Sequence, residues 1–131
     1  MHLNETLSKK ILAWYDNSKR DLPWRVSKKS PKKQYYRLLS EFMLQQTQVK
    51  TVVPYFNEFI KRFKTIDELS KSNEKEILKL WEGLGYYRRA KNLLASSKLI
   101  VKNYKSRLPS SILEIKKLPG VGDYTANALL G

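Results

Sequence analysis

Cysteine is absent from this chain of 131 residues. Without a thiol, its own residues can form no disulfide, no thiolate nucleophile and no Cys-ligated metal or iron–sulfur cluster. Acidic residues are also scarce, because 12 Asp and Glu stand against 26 Lys and Arg, for a formal net charge of +14. Such an excess is typical of proteins that neutralise phosphates, so nucleic acid is the first partner to expect. A lysine-rich proteome and an acidic membrane surface are alternatives that charge alone leaves open.

Long apolar runs are missing as well. No stretch approaches the length needed to span a bilayer, and the polar residues 1–10 lack the apolar core of a signal peptide. The chain is therefore expected to be cytoplasmic, and if its partner is DNA it is expected to be associated with the nucleoid. Its 41% hydrophobic content, with 8 Tyr, 4 Phe and 3 Trp, argues against a disordered chain.

Helical periodicity dominates what is present. Apolar spacing predicts helices over residues 7–15, 35–46, 49–63 and 88–103, with Pro54 at a helix start or a kink. Thr65, Asn73 and Ser111 are each followed three residues later by Glu, a pattern that predicts three short capped helices. The sequence shows no strand pattern, no internal repeat and no linker that would divide the chain. The expected fold is all-α, with residues 1–131 forming a single helical unit.

A glycine-rich turn, LPGVG at residues 118–122, joins two further predicted helices, 112–117 and 124–130. Two glycines in such a turn can expose successive backbone N–H groups beside the positive end of the second helix, which is a geometry that binds phosphate. A GxG pattern alone is more often an ordinary turn that needs positive φ. The flanking helices and the basic chain favour phosphate binding by this hairpin, residues 112–130.

Glu41 lies in the predicted helix 35–46, with Leu38 and Leu44 three residues to either side. Burial beside this apolar stripe is expected to raise the pKa of its carboxyl group. A carboxylic acid that stays protonated near neutral pH can serve as a general acid and then as a base or electrostatic stabiliser. An exposed ion pair between Arg37 and Glu41 is the alternative, and the residues alone leave both open.

The segment SEFMLQQTQV (40–49) resembles the signature of the adenine DNA glycosylases, and LPGVGDYTA (118–126) resembles the helix-hairpin-helix of the endonuclease III superfamily to which they belong. RDLPWR (20–25), PYF (54–56) and WEGLGYYRRA (81–90) match as well, so the resemblance covers residues 11–130. It implies a helix-hairpin-helix DNA glycosylase fold with a six-helix barrel. The implied function is removal of adenine paired with 8-oxoguanine or guanine during base excision repair.

By this resemblance, Glu41 protonates the adenine ring and then helps to activate water at the sugar C1′, after the base has been flipped out of the duplex. Arg20, Trp24 and Leu44 match positions that line the adenine pocket, although core packing is the alternative for Trp24 and Leu44. Tyr124 stands where the lyase members carry a Schiff-base lysine, which implies a monofunctional glycosylase.

The resemblance also assigns the DNA contacts. Gln46 and Tyr86 match residues that wedge into the base stack, and Thr47 matches one near the oxidised guanine; a surface glutamine and a buried tyrosine are the alternatives. The remaining set is the phosphate-binding hairpin, with Leu118, Gly120, Val121, Gly122 and Tyr124. No metal ligand is expected. Double-stranded DNA carrying an A:8-oxoguanine or A:G mismatch is the implied partner.

Several departures from the family are expected to matter. Gln34 and Leu38 replace its usual Pro and Trp, and the basic loop 27–33 is longer than usual. The family's transition-state aspartate, the four cysteines of its 4Fe-4S cluster and its C-terminal domain would lie beyond residue 131, so the barrel is expected to be incomplete at the C-terminus. A second polypeptide could complete it.

Two other functions remain as alternatives. One is a catalytically dead DNA-binding helix-hairpin-helix module, whose binding would depend strongly on salt without any excision. The other is a basic RNA-associated helical protein, which would prefer single-stranded RNA and would leave Glu41 and Tyr124 unexplained.

Overall fold

The computed structural model describes residues 22–130, and every regular element in that part of the chain is a helix. The helices are α1 (Lys33–Leu44), α2 (Val49–Arg62), α3 (Ile66–Ser70), α4 (Glu74–Trp81), α5 (Arg88–Asn103), α6 (Ile112–Ile115) and α7 (Asp123–Leu130). The predicted all-α class is confirmed. The predicted helix 7–15 lies outside the described residues.

The three predicted capped helix starts are confirmed at α3, α4 and α6. The side chains of Thr65, Asn73 and Ser111 each accept a hydrogen bond from the amide of the Glu three residues later, at 3.2, 2.9 and 3.2 Å. Each bond satisfies one of the amides that the first turn of a helix leaves without an acceptor.

Some helix boundaries differ from the prediction. Helix α1 ends at Leu44 rather than Gln46, because Gln46 has a φ of 61°, which no α-helix accommodates. Helix α6 ends at Ile115 and continues only as tight turns, while α7 begins one residue early at Asp123. Pro54 lies in the second turn of α2 rather than at its start.

One buried apolar cluster takes residues from every helix from α1 to α7. Its largest members are aromatic, and Phe59 lies between the rings of Phe63 and Trp81 at centroid distances of 5.3 and 6.2 Å. Leu118 and Val121 of the hairpin turn are buried in the same cluster, so the turn is fixed to the core. That residues 1–131 form a single unit stays a prediction. Between residues 22 and 130, no helix is long and apolar enough to cross a membrane.

Candidate nucleic-acid interface and active site

Three turns meet on one side of the molecule: the turn after α1, the turn between α4 and α5, and the hairpin between α6 and α7. They enclose an open cleft of about 880 Å³, called here the turn cleft. Its lining comprises Glu41, Leu44, Gln45, Gln46, Tyr86, Tyr87, Arg88, Arg89, Asn92, Gly120, Gly122, Tyr124 and Thr125. Glu41, the two predicted wedge residues and the hairpin are far apart in sequence, and they share this one surface.

Gln46 and Tyr86 are the two exposed residues of this cleft that the resemblance assigns to the wedge. Their φ angles are 61° and 49°, in the left-handed region that non-glycine residues rarely occupy. Such conformations cost roughly 1–3 kcal/mol and persist only where the surroundings impose them. Tyr86 is 62% exposed, which excludes the alternative of a buried core tyrosine. Thr47 follows Gln46, is half-buried and donates its amide to the Leu44 carbonyl at 3.3 Å.

The hairpin turn presents its backbone rather than its side chains. Gly120 has a φ of 80°, and a Cβ there would lie 2.8 Å from the side chain of Asn92 on α5, so only glycine fits. The Val121 amide donates to the Leu118 carbonyl at 3.2 Å, so this N–H of the turn already has an acceptor. The first turn of α7 adds amides that have no intrahelical acceptor. Phosphate binding by the hairpin stays a prediction.

Leu118 and Val121 are 3% and 7% exposed, so their side chains pack in the core. Tyr124, in the first turn of α7, is 83% exposed, and Gly122 beside it is also open to solvent. The positive end of the α7 dipole and these free amides make the start of α7 a place where an anion is stabilised.

Glu41 lies at the junction of the turn cleft with a second, adjoining cleft, called here the tryptophan cleft. The tryptophan cleft is lined by Leu22, Trp24, Arg25, Val26, Lys28, Lys33, Arg37, Ser40, Glu41, Leu44, Val49 and Ala128. The Glu41 side chain is half-buried, and this burial raises the pKa of its carboxyl, against a smaller opposing attraction from Arg37. The direction is the one expected from the sequence. Burial therefore affects the pKa of Glu41 more than the charge of Arg37 does.

Trp24 and Leu44 line the tryptophan cleft beside Glu41. The Trp24 ring also packs edge-on against Phe56 at a centroid distance of 5.3 Å, so it contributes to the core and to the cleft together. Leu44 lines both clefts. Arg20, the third predicted pocket residue, lies outside the described residues.

Sequence reasoning missed two side chains that hold the turns together. Arg89 is buried, and its guanidinium donates to backbone carbonyls on both sides of the turn cleft. The Gln45 amide nitrogen donates to the Gly120 carbonyl at 3.3 Å and to Thr125 Oγ1 at 3.1 Å. Both lie inside the segments 40–49 and 81–90 that match the family. Their roles were missed because their partners are mostly backbone atoms from distant segments.

The chain's own residues do not fit an iron–sulfur cluster. Cysteine is absent, and among residues 22–130 no group of three or more His, Asp or Glu is placed to hold a metal ion. The two clefts offer a carboxyl group, hydrogen-bond donors and cations.

Comparison with protein families matches residues 39–128 to the HhH-GPD superfamily base excision DNA repair proteins. The adenine DNA glycosylase of Buchnera aphidicola subsp. Baizongia pistaciae is 50% identical over 121 residues, which are 92% of this chain and 33% of that protein. The rat adenine DNA glycosylase is 39% identical over 91% of this chain and 24% of that protein. The chain therefore spans a quarter to a third of the length of these relatives.

Solved structures agree on the fold. A thermostable thymine-DNA glycosylase matches with a TM-score of 0.73 at 28% identity, covering 96% of this chain and 57% of that one. An endonuclease III trapped as a covalent intermediate with DNA matches with a TM-score of 0.71 at 20% identity, covering 93% and 58%. The helix-hairpin-helix glycosylase fold expected from the sequence is thus confirmed. The chain belongs to the HhH-GPD superfamily of base excision DNA repair proteins.

Proposed function

We propose that this chain is the DNA-engaging and acid-supplying part of an adenine DNA glycosylase, which removes adenine paired with 8-oxoguanine or guanine. The observation that carries the proposal is the position of Glu41. A half-buried carboxyl with a raised pKa lies where the tryptophan cleft meets the turn cleft. DNA as the substrate also accounts for the net charge of +14, and it would associate the protein with the nucleoid.

The duplex lies across the turn cleft. A backbone phosphate binds at the start of α7, where the first amides and the helix dipole favour an anion. Gln46 and Tyr86 enter the base stack and fill the gap left by the flipped adenine, since a planar amide and an aromatic ring both stack on bases. Thr47, next to Gln46, lies on the side of the oxidised guanine.

The flipped adenine occupies the tryptophan cleft, between Trp24 and Leu44. The protonated Glu41 carboxyl donates its proton to a ring nitrogen, which draws electrons out of the bond between the base and C1′. That bond breaks with its electron pair on the base, leaving an oxocarbenium-like sugar. Ionised Glu41 then accepts a proton from the water that attacks C1′. Tyr124 offers no amine for a Schiff base, so hydrolysis ends at an abasic site.

The test is single-turnover release of adenine from a duplex with adenine opposite 8-oxoguanine. We expect release by the wild-type chain and a loss of about 10²-fold or more with Glu41→Gln, because the amide cannot donate or accept the catalytic proton. Glu58→Gln is the matched control, since Glu58 is exposed and forms an ion pair with Lys61 on the surface of α2. We expect its release rate to equal that of the wild type.

Equal rates for Glu41→Gln and the wild type would contradict the proposed role of Glu41. Tight binding of the duplex without release by the wild-type chain would make it the DNA-binding module, and adding a second polypeptide that restored release would identify the missing component. Tighter binding of single-stranded RNA than of the mismatched duplex would overturn the assignment to DNA.

A further inference from the structure

Arg89 is a buried cation that has no acidic partner between residues 22 and 130. Its side chain is 6% exposed, and its guanidinium makes no salt bridge with any described residue. Burying a charge without an opposite charge is costly unless hydrogen bonds replace its hydration. The buried charge of Arg89 must therefore be stabilised by hydrogen bonds to other groups.

The hydrogen bonds of Arg89 join two separate turns. Nη1 donates to the carbonyls of Met43 and Gln45, at 2.6 and 2.5 Å, where α1 ends. Nη2 donates to the carbonyls of Leu84 and Gly85, at 3.3 and 3.1 Å, in the turn between α4 and α5. One planar guanidinium group thus donates hydrogen bonds to four carbonyls on opposite sides of the turn cleft.

Each of these turns carries one strained residue directly after the last carbonyl that Arg89 contacts. Gln46, with φ of 61°, follows Gln45, and Tyr86, with φ of 49°, follows Gly85. The guanidinium carbon also lies 5.3 Å from the centre of the Tyr86 ring, on a cation–π contact. The hydrogen bonds from Arg89 therefore fix the backbone immediately before the two residues that have left-handed φ angles.

We propose that Arg89 is a positioning residue that locks Gln46 and Tyr86 into one preorganised wedge. This inference rests on the proposed function, in which those two side chains enter the base stack. Because one rigid group already holds both loops, little further conformational entropy is lost when their side chains enter the base stack, so insertion and flipping proceed from a formed wedge. The Gln45 side chain extends the same network to the hairpin through Gly120 and Thr125.

Lysine cannot substitute for arginine here. An ammonium group has three donors on one nitrogen, whereas the guanidinium places two donors on each of two nitrogens in a fixed plane. Arg89→Lys keeps the charge and the hydrocarbon stem, so the chain should fold while it loses the bridge between the turns.

The decisive measurement is amide hydrogen exchange in the free chain, with no DNA present. The amides of Thr47 and Leu84 report on the two turns, since they donate to the carbonyls of Leu44 and Trp81. We expect both to exchange about tenfold faster or more in Arg89→Lys, with the buried helices unchanged. Lys102→Met, at the exposed far end of α5, is the control and should change neither amide.

A faster exchange at only one turn, at neither turn, or equally throughout the chain would overturn the proposal, because each would show that Arg89 does not link the two. A second variant, Arg89→Ala, should recover slow exchange at both amides when millimolar guanidinium is added, whereas added ammonium should not restore it.

The consequence for DNA is measured separately with 2-aminopurine in place of the target adenine. Arg89→Lys should lose the fluorescence rise on unstacking, and its excision rate should fall about 10²-fold, because misplaced groups lose far more rate than affinity. Affinity for the duplex should change by less than about threefold, since phosphate contacts are retained. If the wild-type chain bound no DNA, the proposed function would fail, while the exchange result would still decide the role of Arg89 in the fold.

Discussion

Burial of Glu41 acts on folding and on chemistry in opposite directions. The carboxyl must stay protonated to act as an acid, and burial beside the apolar residues of α1 favours the protonated form. Ionisation in the folded state is correspondingly unfavourable. Since the pKa of Glu41 is higher in the folded than in the unfolded chain, its contribution to stability decreases as the pH rises from the unfolded pKa through the folded pKa.

Glu41→Gln should therefore stabilise the chain while it slows release of adenine by about 10²-fold or more. We expect the Tm of the variant to exceed that of the wild type at about pH 7, and the difference to vanish at about pH 4, where Glu41 is mostly protonated in both states. Thermal unfolding followed by circular dichroism across this range measures the effect. A variant less stable than the wild type at neutral pH would show that the Glu41 carboxylate is satisfied rather than desolvated.

At the scale of single elements, the hairpin depends on one of its two glycines for its shape. Gly120 combines a φ of 80° with a Cβ position 2.8 Å from the Asn92 side chain, whereas a Cβ on Gly122 meets nothing within 4 Å. Substituting each glycine in turn therefore tests whether the hairpin needs glycine for steric reasons at Gly120 and not at Gly122.

Gly120→Ala should lower the free energy of unfolding by about 2 kcal/mol or more, from backbone strain and the clash with Asn92 together. Gly122→Ala should change it by less than about 1 kcal/mol. Urea denaturation of both variants measures the difference. Equal losses would mean that the contact between the hairpin and α5 does not constrain Gly120.

The elements that the sequence predicted well are those whose determinants are local. The capped starts of α3, α4 and α6 require only residues three apart, and the bounds of α5 match the prediction because its apolar stripe is uninterrupted. The left-handed conformations of Gln46 and Tyr86 could not be predicted, because neither residue type favours positive φ. They depend on Arg89, whose partners at the end of α1 are 44 and 46 residues earlier in the chain.

At the scale of the whole molecule, positive charge borders more than one surface. Besides the turn cleft, a larger groove of about 1260 Å³ lies between the start of α1, the end of α2 and the segment after α5. Its basic residues are Lys28, Lys32, Lys33, Arg37, Lys61, Lys64, Lys105 and Arg107. Net charge therefore predicts binding of nucleic acid but does not indicate which surface of the molecule binds it.

Salt dependence distinguishes contact residues from general charge. Arg88, at the start of α5, is exposed and lines the turn cleft, whereas Lys102 lies at the other end of the same helix. Arg88→Gln should reduce the slope of log affinity against log salt by about 1, as expected for the loss of one phosphate contact. Lys102→Gln should leave the slope unchanged. Equal slopes for both variants would place the duplex away from the start of α5.

The most direct test of the account is the location of bound DNA on the chain. Amide exchange should be measured with and without a short duplex that carries a non-hydrolysable adenine analogue opposite 8-oxoguanine. We predict joint protection of residues 45–47, 85–87 and 118–124, with residues 60–67 and 105–108 unchanged. Protection of 60–67 and 105–108, with the three turns exchanging as in the free chain, would contradict DNA binding at the turn cleft. It would place DNA in the larger groove between the start of α1, the end of α2 and the segment after α5.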